Sequence, residues 1–288
     1  MAIAASFTRP TISAGFARVK SSFNATEWIC GSVIAILIVI VAFGPLMAPY
    51  DPNALNLTDI GAAPSSAHWL GTDDTGRDIL SRLLVGARPT LLASAGIVLL
   101  ASVVGTALAL FAAWRGRLTD TVISRVLNII FAFPGLMLAI LATAVAGPGL
   151  TGPVIALSIA YLPYIARVVR SMALRERRMG YVEASSVQGA GGFATTMRHV
   201  LPNVMPLVFA QATISFGYVV MELAAVSYIG LGVQEPKSDW GLMVSQGQQG
   251  LLNGQPYQSL FAGAAIVVTV LTVILLGNRM SERWGVEE

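Results

Sequence analysis

Residues 89–114 read PTLLASAGIVLLASVVGTALALFAAW and contain no Asp, Glu, Lys or Arg. A helix needs about 20 mostly apolar residues to cross the roughly 30 Å hydrocarbon core of a bilayer. A strand of a membrane barrel needs only about ten residues, and its apolar and polar side chains alternate strictly. Because this stretch is long and continuously apolar, it predicts a transmembrane α-helix.

The composition of the whole chain also indicates a membrane protein. Of the 288 residues, 55% are hydrophobic and 11% are charged, whereas a soluble domain carries about 25% charged residues. The single cysteine, Cys30, excludes an internal disulfide, and one cysteine with two histidines does not suit a structural zinc site. The net charge of +3 comes from scattered arginines, so no nucleic-acid-binding face is predicted.

Further runs without charged residues occupy 28–50, 126–166, 199–221 and 240–278. The run 126–166 is interrupted at 147–153 by the turn-forming sequence GPGLTGP, so it contains two helices. The first half of 240–278 is rich in Gln, Gly and Asn, so only its second half should span. The sequence therefore predicts an all-α integral membrane fold with six helices, at about 28–48, 90–113, 122–146, 151–170, 204–231 and 260–277.

The basic residues predict the orientation of these helices. With both termini in the cytoplasm, only Arg77, Arg82, Arg88 and Lys237 of the 18 basic residues fall outside, as the positive-inside rule requires. A cleaved signal peptide is the alternative for the first helix, but no A-x-A site follows it. The predicted regions are a cytoplasmic segment 1–27, a first helix with an external segment 28–89, a transmembrane domain 90–277 with a cytoplasmic loop 171–203, and a cytoplasmic tail 278–288.

The cytoplasmic loop 171–203 carries the most distinctive pattern. Residues 183–188 suit a short helix that stops at Gly189, and residues 193–200 suit a second one that Pro202 ends. An amphipathic connector on the membrane surface explains this pattern at least as well as a docking site does. A docking site would expose small side chains that let another protein approach closely, namely Ala184, Ser185 and Ser186.

The same loop resembles a known motif. Glu183-Ala184-Ser185 with Gly189, followed by HVLPN at 199–203, resembles the EAA motif of ABC importer permeases, although Ser185 stands where that motif usually has Ala. In that family the segment forms a coupling helix that binds in a cleft of the ATPase subunit. The resemblance therefore implies a set of ATPase-coupling residues, which are Glu183, Ala184, Ser185, Ser186, Gly189 and Pro202.

Two external segments narrow the resemblance. Residues 69–90 resemble the GTDxxGRDxxSRxxxGAR signature of the DppC/OppC-type permeases for dipeptides, oligopeptides or nickel, and 222–241 is also typical of them. The likeness covers essentially 28–280 and implies the six-helix transmembrane domain of a type I ABC importer. It also implies periplasmic signature residues that face a binding protein or cap the path, namely Gly71, Thr72, Asp73, Gly76, Arg77, Asp78, Arg82 and Arg88. Asp78 should begin a helix over about 79–88.

The resemblance implies a multi-pass permease subunit in the bacterial cytoplasmic (inner) membrane. With a second homologous permease it would form the path for short peptides delivered by an extracytoplasmic solute-binding protein. Neither lysine lies in an ATP-binding loop, so one or two separate ABC ATPase subunits would hold ATP and magnesium, and this chain would carry no cofactor. Nickel or another small solute is the alternative cargo. A stand-alone secondary transporter and a membrane enzyme are the alternative classes.

Glu222 is the one ionisable residue well inside a predicted helix. A charged side chain at mid-membrane costs roughly 2.5–3.5 kcal/mol, so Glu222 should face protein or water, either as a path or gate residue or as a buried hydrogen-bond partner. Pro134 and Pro163 should kink the third and fourth helices and are further gate candidates. Small residues four positions apart predict close packing of the second helix, namely Ala101, Gly105, Ala109 and Ala113.

The predicted orientation can be tested by cysteine labelling in intact cells. In a Cys30→Ser background, we expect Ser66→Cys or Ser238→Cys to react with a membrane-impermeant maleimide, because both positions lie in predicted external segments. Ser186→Cys should not react, because it lies in the predicted cytoplasmic loop. Labelling of position 186 from outside would overturn the orientation.

Overall fold

A computed structural model describes residues 25–284, apart from the side chains of Arg117 and Ser186. Most of the predicted segment 1–27 and the end of the predicted tail 278–288 lie outside the described residues. The described chain consists of helices joined by loops, with one isolated antiparallel bridge between Thr72 and Asp78.

The helices follow one another as α1 (Ala25–Met47), α2 (Ile79–Arg115), α3 (Arg117–Phe131), α4 (Gly135–Ala146), α5 (Thr151–Glu176), α6 (Gly180–Val187), α7 (Gly192–Thr195), α8 (Leu201–Tyr228), α9 (Trp240–Gln246), α10 (Gln248–Leu252) and α11 (Tyr257–Arg283). A π-helical turn, Thr196–Val200, joins α7 to α8, so Gly192–Tyr228 is one continuous helix. Within the described residues, five helices are long and apolar enough to cross a membrane, and the bent pair α3–α4 makes a sixth span if it is counted as one. The predicted all-α membrane fold is confirmed.

The predicted single helix at 122–146 is wrong in one respect. The chain breaks between α3 and α4, and the two helices are bent by 80°. Pro134 does more than kink a helix, because it precedes α4 with φ −59° and ψ 132°, which is outside the helical region. A proline disfavours the helical conformation of the residue before it, here Phe133. The hydrophobic pattern runs through this break, so it does not reveal it.

The predicted loop 171–203 is mostly helical. Helix α5 continues to Glu176, α6 follows, and the chain from Gly192 onward belongs to the continuous helix. Pro202 was predicted to end a short helix, but it lies in the first turn of α8. The π-helical turn directly before it explains this position, because a π turn replaces the i→i−4 hydrogen bonds that a proline would otherwise break.

The core forms where α2 lies along α5 and α8 lies along α11. A Cβ on Gly105 would lie only 3.2 Å from the backbone oxygen of Leu162, so the backbones of α2 and α5 approach closely. The other small residues of the same α2 stripe are almost completely buried, namely Ala101, Ala109 and Ala113. The predicted packing stripe is confirmed.

Helix α9 is pressed against α8 at Gly241. A Cβ there would overlap the backbone oxygen of Ala224 and come within 2.8 Å of its Cα. Because the backbone cannot move aside like a flexible side chain, Gly241→Ala should destabilise the protein by roughly 1–3 kcal/mol. Thermal unfolding of the purified permease in detergent measures this loss.

Gly263→Ala is the matched control, because Gly263 lies within α11 and nothing lies within 4 Å of its Cβ position. That variant should unfold at the same temperature or higher, since alanine favours a helix over glycine by about 1 kcal/mol. Equal unfolding temperatures for both variants would contradict the close packing of α9 on α8.

Candidate functional site

The first half of the external signature folds into a tight loop ahead of α2. One carboxylate oxygen of Asp73 accepts the backbone N–H groups of Thr75 and Arg77, both at 2.9 Å. The other accepts the Arg77 side-chain Nε–H at 2.7 Å. Asp78 then accepts the backbone N–H of Ser81 at 2.8 Å and caps α2. The predicted helix start after Asp78 is confirmed, although the helix runs without a break to Arg115.

Two glycines in this loop satisfy a strict backbone requirement. Gly71 has φ +82° and Gly76 has φ +77°, which is the left-handed region that favours glycine. A Cβ on either residue would also overlap a backbone oxygen, of Ala62 and of Asn56 respectively. Both positions therefore need glycine for conformation and for space.

The charge of Asp73 depends on this loop. Burial alone would raise the pKa of Asp73, but hydrogen bonds from Arg77 and Thr75 outweigh burial and hold the pKa below its ordinary value. Folding therefore favours the ionised carboxylate. Its contribution to stability is present above the ordinary pKa and is lost as the pH falls through the lowered one.

Arg82 joins three segments that the sequence predicts to be external. Its side chain is fully buried, with Nε 3.7 Å from Asp73. Its two terminal nitrogens donate to the backbone oxygen of Pro52 at 3.3 Å and to Oε1 of Gln246 at 3.0 Å. Ser238 donates to the backbone oxygen of Arg82 at 3.1 Å. Because a buried charge is tolerated only when it is paired and hydrogen-bonded, these partners fix the positions of the loops around α2.

Most side chains of the signature at 69–90 are therefore buried within the chain and are not exposed to a partner. The buried members are Thr72, Asp73, Arg77, Asp78 and Arg82. Ser238 is also buried, whereas Ser66 is exposed, so position 66 is the better labelling site for testing the predicted orientation. Arg88 is exposed and donates from Nε to the backbone oxygen of Val41 at 2.8 Å, which ties α2 to α1.

The second external signature packs directly on the first. Asp239 caps α9 and accepts the hydroxyl of Ser227 at 2.6 Å. Trp240 donates from its ring nitrogen to the backbone oxygen of Leu83 at 3.0 Å and from its backbone nitrogen to the Thr90 hydroxyl at 3.2 Å. The two segments, far apart in sequence, form one assembly, which we name the external cap after its predicted side of the membrane and define as residues 49–90 together with 229–259.

Glu222 lies where α4, α5 and α8 meet. Its carboxylate lies beside the hydroxyl of Tyr161 on α5. Both carboxylate oxygens lie 3.0 Å from the position that a Cβ on Gly135, the first residue of α4, would occupy. The N-terminus of a helix carries a partial positive charge, so the break at Pro134 places a favourable dipole beside the carboxylate. Oε2 of Glu222 is buried and has no hydrogen-bond partner among the described residues.

From Glu222 toward the C-terminal end of α5, aromatic and basic side chains contact one another in sequence. The rings of Tyr161 and Tyr164 are stacked with centroids 5.3 Å apart, and Phe131 lies 4.9 Å from Tyr164. The guanidinium of Arg167 lies over the Phe131 ring at 4.3 Å. Pro163, which was also predicted as a gate residue, is buried within the unbroken helix α5 and is not part of this run of side chains.

The predicted coupling segment forms helix α6. Gly189 ends it with φ +85°, and the N–H of Ala190 donates to the backbone oxygen of Ser185 at 3.2 Å, which closes the turn. Glu183 and Ala184 are exposed and Ser185 is half-buried, whereas the side chain of Ser186 lies outside the described part of the chain. The segment thus presents a short helix with a tight glycine turn at its end.

A polar cluster, in which Glu176 is buried while Tyr181 and Asn203 are exposed, links α6 to α5 and α8. Asn203 of α8 donates to Oε1 of Glu176, at the end of α5, at 2.8 Å and to the hydroxyl of Tyr181, on α6, at 2.6 Å. Tyr181 in turn donates to Glu176. We call these three residues the inner cluster. Sequence reasoning missed Glu176 and Tyr181, because they precede the motif and match no spacing rule.

Two further contacts brace the same end of the bundle. The rings of Trp114, at the end of α2, and Phe193, in α7, have centroids 5.4 Å apart. Asp120 of α3 forms an ion pair with Arg170 of α5. The helices around α6 are therefore held at several points.

Comparison with known proteins identifies the family. Residues 105–284 match the family model described as the binding-protein-dependent transport system inner membrane component. The chain belongs to this family.

Curated relatives of this permease are similar over most of their length. They include a probable D,D-dipeptide transport system permease, DdpC of Escherichia coli K12, at 35% identity over 85% of this chain and 82% of the relative. The dipeptide permease DppC of Alkalihalophilus pseudofirmus is 36% identical over 87% and 82%. The glutathione permease GsiD of Pectobacterium atrosepticum is 34% identical over 88% and 84%.

Solved structures agree on the fold. An inward-facing form of the MetNI methionine ABC transporter superimposes with a TM-score of 0.58 at 20% identity, covering 70% of this chain and 96% of that one. Family membership confirms that the chain is a permease subunit of an ABC importer rather than an enzyme, with the ATPase on a separate subunit. It also implies an ATPase partner and a substrate-binding protein for this inner-membrane permease.

A large apolar groove of about 1260 Å³ lies elsewhere on the permease, between α1, α2 and α8. Glu222 is not among its lining residues, and Arg88 is the one charged side chain among those that are described. Apolar walls suit acyl chains or another helix better than a peptide, so we do not assign this groove to transport.

Proposed function

We propose that this permease carries short peptides inward across the bacterial cytoplasmic membrane, together with a second, homologous permease. The names of the relatives, which refer to dipeptides, D,D-dipeptides and glutathione, support a peptide cargo. In this proposal, both termini are cytoplasmic, 90–277 is the type I transmembrane domain, and one or two ATPase subunits bind at α6. The alternatives of nickel or another small solute gain no support from a feature of the structure.

The observation that carries the proposed mechanism is the attachment of α6. A short helix transmits force only if both of its ends are held, and α6 ends in the tight turn at Gly189 and is tied by Tyr181 to α5 and α8. The exposed side of α6 would bind in the ATPase cleft. Closure of the ATPases on ATP would then move α5 and α8, which line the path at Glu222.

The proposed path follows the face that carries Glu222, Tyr164 and the break at Pro134. Several large side chains on or beside this face are exposed in the single chain and would line the path or face the second permease, namely Phe131, Phe133, Met137, Tyr164, Tyr218 and Met221. An exposed apolar surface of this kind marks an interaction site.

The proposed contact with the solute-binding protein differs from the one that the signature suggested. The signature side chains are mostly buried, but apolar residues nearby in the external cap are exposed, namely Leu55, Leu57, Ile60 and Trp69. These residues are better placed to meet a partner. The buried ion pairs would support the surface on which they lie.

Coupling through α6 can be tested with a pair of glycine variants. Gly189→Val should lower peptide uptake by the reconstituted importer about ten-fold or more, because a β-branched residue at φ +85° costs on the order of 1–3 kcal/mol. Gly191→Ala is the control, since Gly191 has φ −61° and open space around it. Uptake and ATP hydrolysis in proteoliposomes measure both.

Glu183→Lys should likewise weaken ATPase binding, and a Ser185→Cys variant should crosslink to the ATPase subunit. Normal uptake by Gly189→Val and Glu183→Lys, with no crosslink anywhere in 183–192, would refute coupling through this helix.

A further inference from the structure

Peptides that differ in every side chain still share two charged groups, a terminal ammonium and a terminal carboxylate. A path that accepts many short peptides can therefore recognise them by their termini. Such recognition requires a carboxylate and a cation separated by roughly the length of the peptide, which is about 7 Å for two extended residues and about 10 Å for three.

The permease has such a pair along α5. Tyr161, Tyr164 and Arg167 follow one another at intervals of three residues, so neighbouring members lie side by side. Tyr161 is stacked on Tyr164, and Phe131 contacts both Tyr164 and Arg167, so these side chains form a continuous strip along α5. Glu222 lies beside Tyr161 at one end of this strip, and Arg167 lies at the other. At the rise of an α-helix, the six residues from Tyr161 to Arg167 span about 9 Å.

The carboxylate end of the strip can accept a cation. Glu222 is half-buried and lies beside the Tyr161 hydroxyl, and its Oε2 has no hydrogen-bond partner among the described residues. The Tyr164 ring is stacked on Tyr161, and Tyr218 is exposed on α8 one turn before Glu222. Aromatic faces attract ammonium groups. Carboxylate and rings together suit a primary ammonium.

The cationic end can accept a carboxylate. Arg167 is exposed, lies over Phe131, and donates one hydrogen bond, at 3.3 Å, to Asn128. A guanidinium has five N–H donors and can bind a carboxylate through two of them. Arg170, three residues further along, differs because its Nε and one terminal nitrogen already donate to the two carboxylate oxygens of Asp120.

We propose that Glu222 and Arg167 form a transient site for a zwitterionic short peptide, in which Glu222 binds the ammonium and Arg167 binds the carboxylate. The proposal rests on the proposed peptide transport. With the termini of the permease inside, the peptide would lie with its amino end toward the outside, and it would pass Arg167 last on its way into the cytoplasm.

The test uses the complete importer in proteoliposomes, with its partner permease, ATPases and binding protein. Uptake of radiolabelled dialanine and ATP hydrolysis are measured in the same vesicles, and their ratio is compared among variants. Arg167→Gln and Glu222→Gln should each lower the peptide imported per ATP roughly ten-fold, because each removes one charge-assisted contact. Arg167→Lys should retain at least half of the wild-type ratio.

Arg279→Gln is the matched control, because Arg279 is a comparably exposed arginine that pairs with Glu282 on the surface, and its ratio should not change. An Arg167→Gln ratio equal to that of the wild type, or an Arg167→Lys ratio as low as that of Arg167→Gln, would overturn the site. If the wild-type importer takes up no dialanine, the proposed peptide function fails instead.

Discussion

A carboxylate inside a bilayer has to be surrounded by protein or water, and three helices meet around Glu222 to meet this requirement. The break before α4 places the first residue of that helix, Gly135, against the carboxylate, and the hydroxyl of Tyr161 on α5 lies beside it. The bend of 80° at Pro134 contributes to stabilising the carboxylate, because it places the N-terminus of α4 beside Glu222, and an unbroken helix would have no N-terminus there. Glu222 thereby joins α5 to α8 in the middle of the protein.

The same two helices are joined again at their inner ends. Glu176 of α5 and Asn203 of α8 share hydrogen bonds with Tyr181, which brings α6 into the same unit. At the opposite end of α8, Ser227 donates to Asp239 and links the helix to the external cap. Helix α8 therefore connects the proposed coupling segment, the half-buried Glu222 and the external cap, which is the arrangement that a transporter driven by a separate ATPase needs.

The sequence predicted the spans and the motifs better than the contacts between them. Charge-free runs located the membrane helices, and the glycines at 71, 76 and 189 correctly indicated tight turns. The break at Pro134 stayed hidden because the apolar pattern continues through it, and the helical position of Pro202 depends on a π turn that has no hydrophobic signature. The burial of Arg82 depends on Gln246, and residues so distant in sequence leave no local pattern.

If the inner cluster fixes α6 to α8, the two helices move as one body when the ATPases bind ATP. Pulsed electron paramagnetic resonance can measure this in the assembled importer, with spin labels at Val187, which is exposed at the end of α6, and at Phe209, which is exposed on α8. Cys30→Ser and cysteine-free partners keep the labelling specific. We expect a single distance that is the same with and without ATP. A distance that changes with ATP would show that α6 moves independently of α8 and would contradict the rigid attachment.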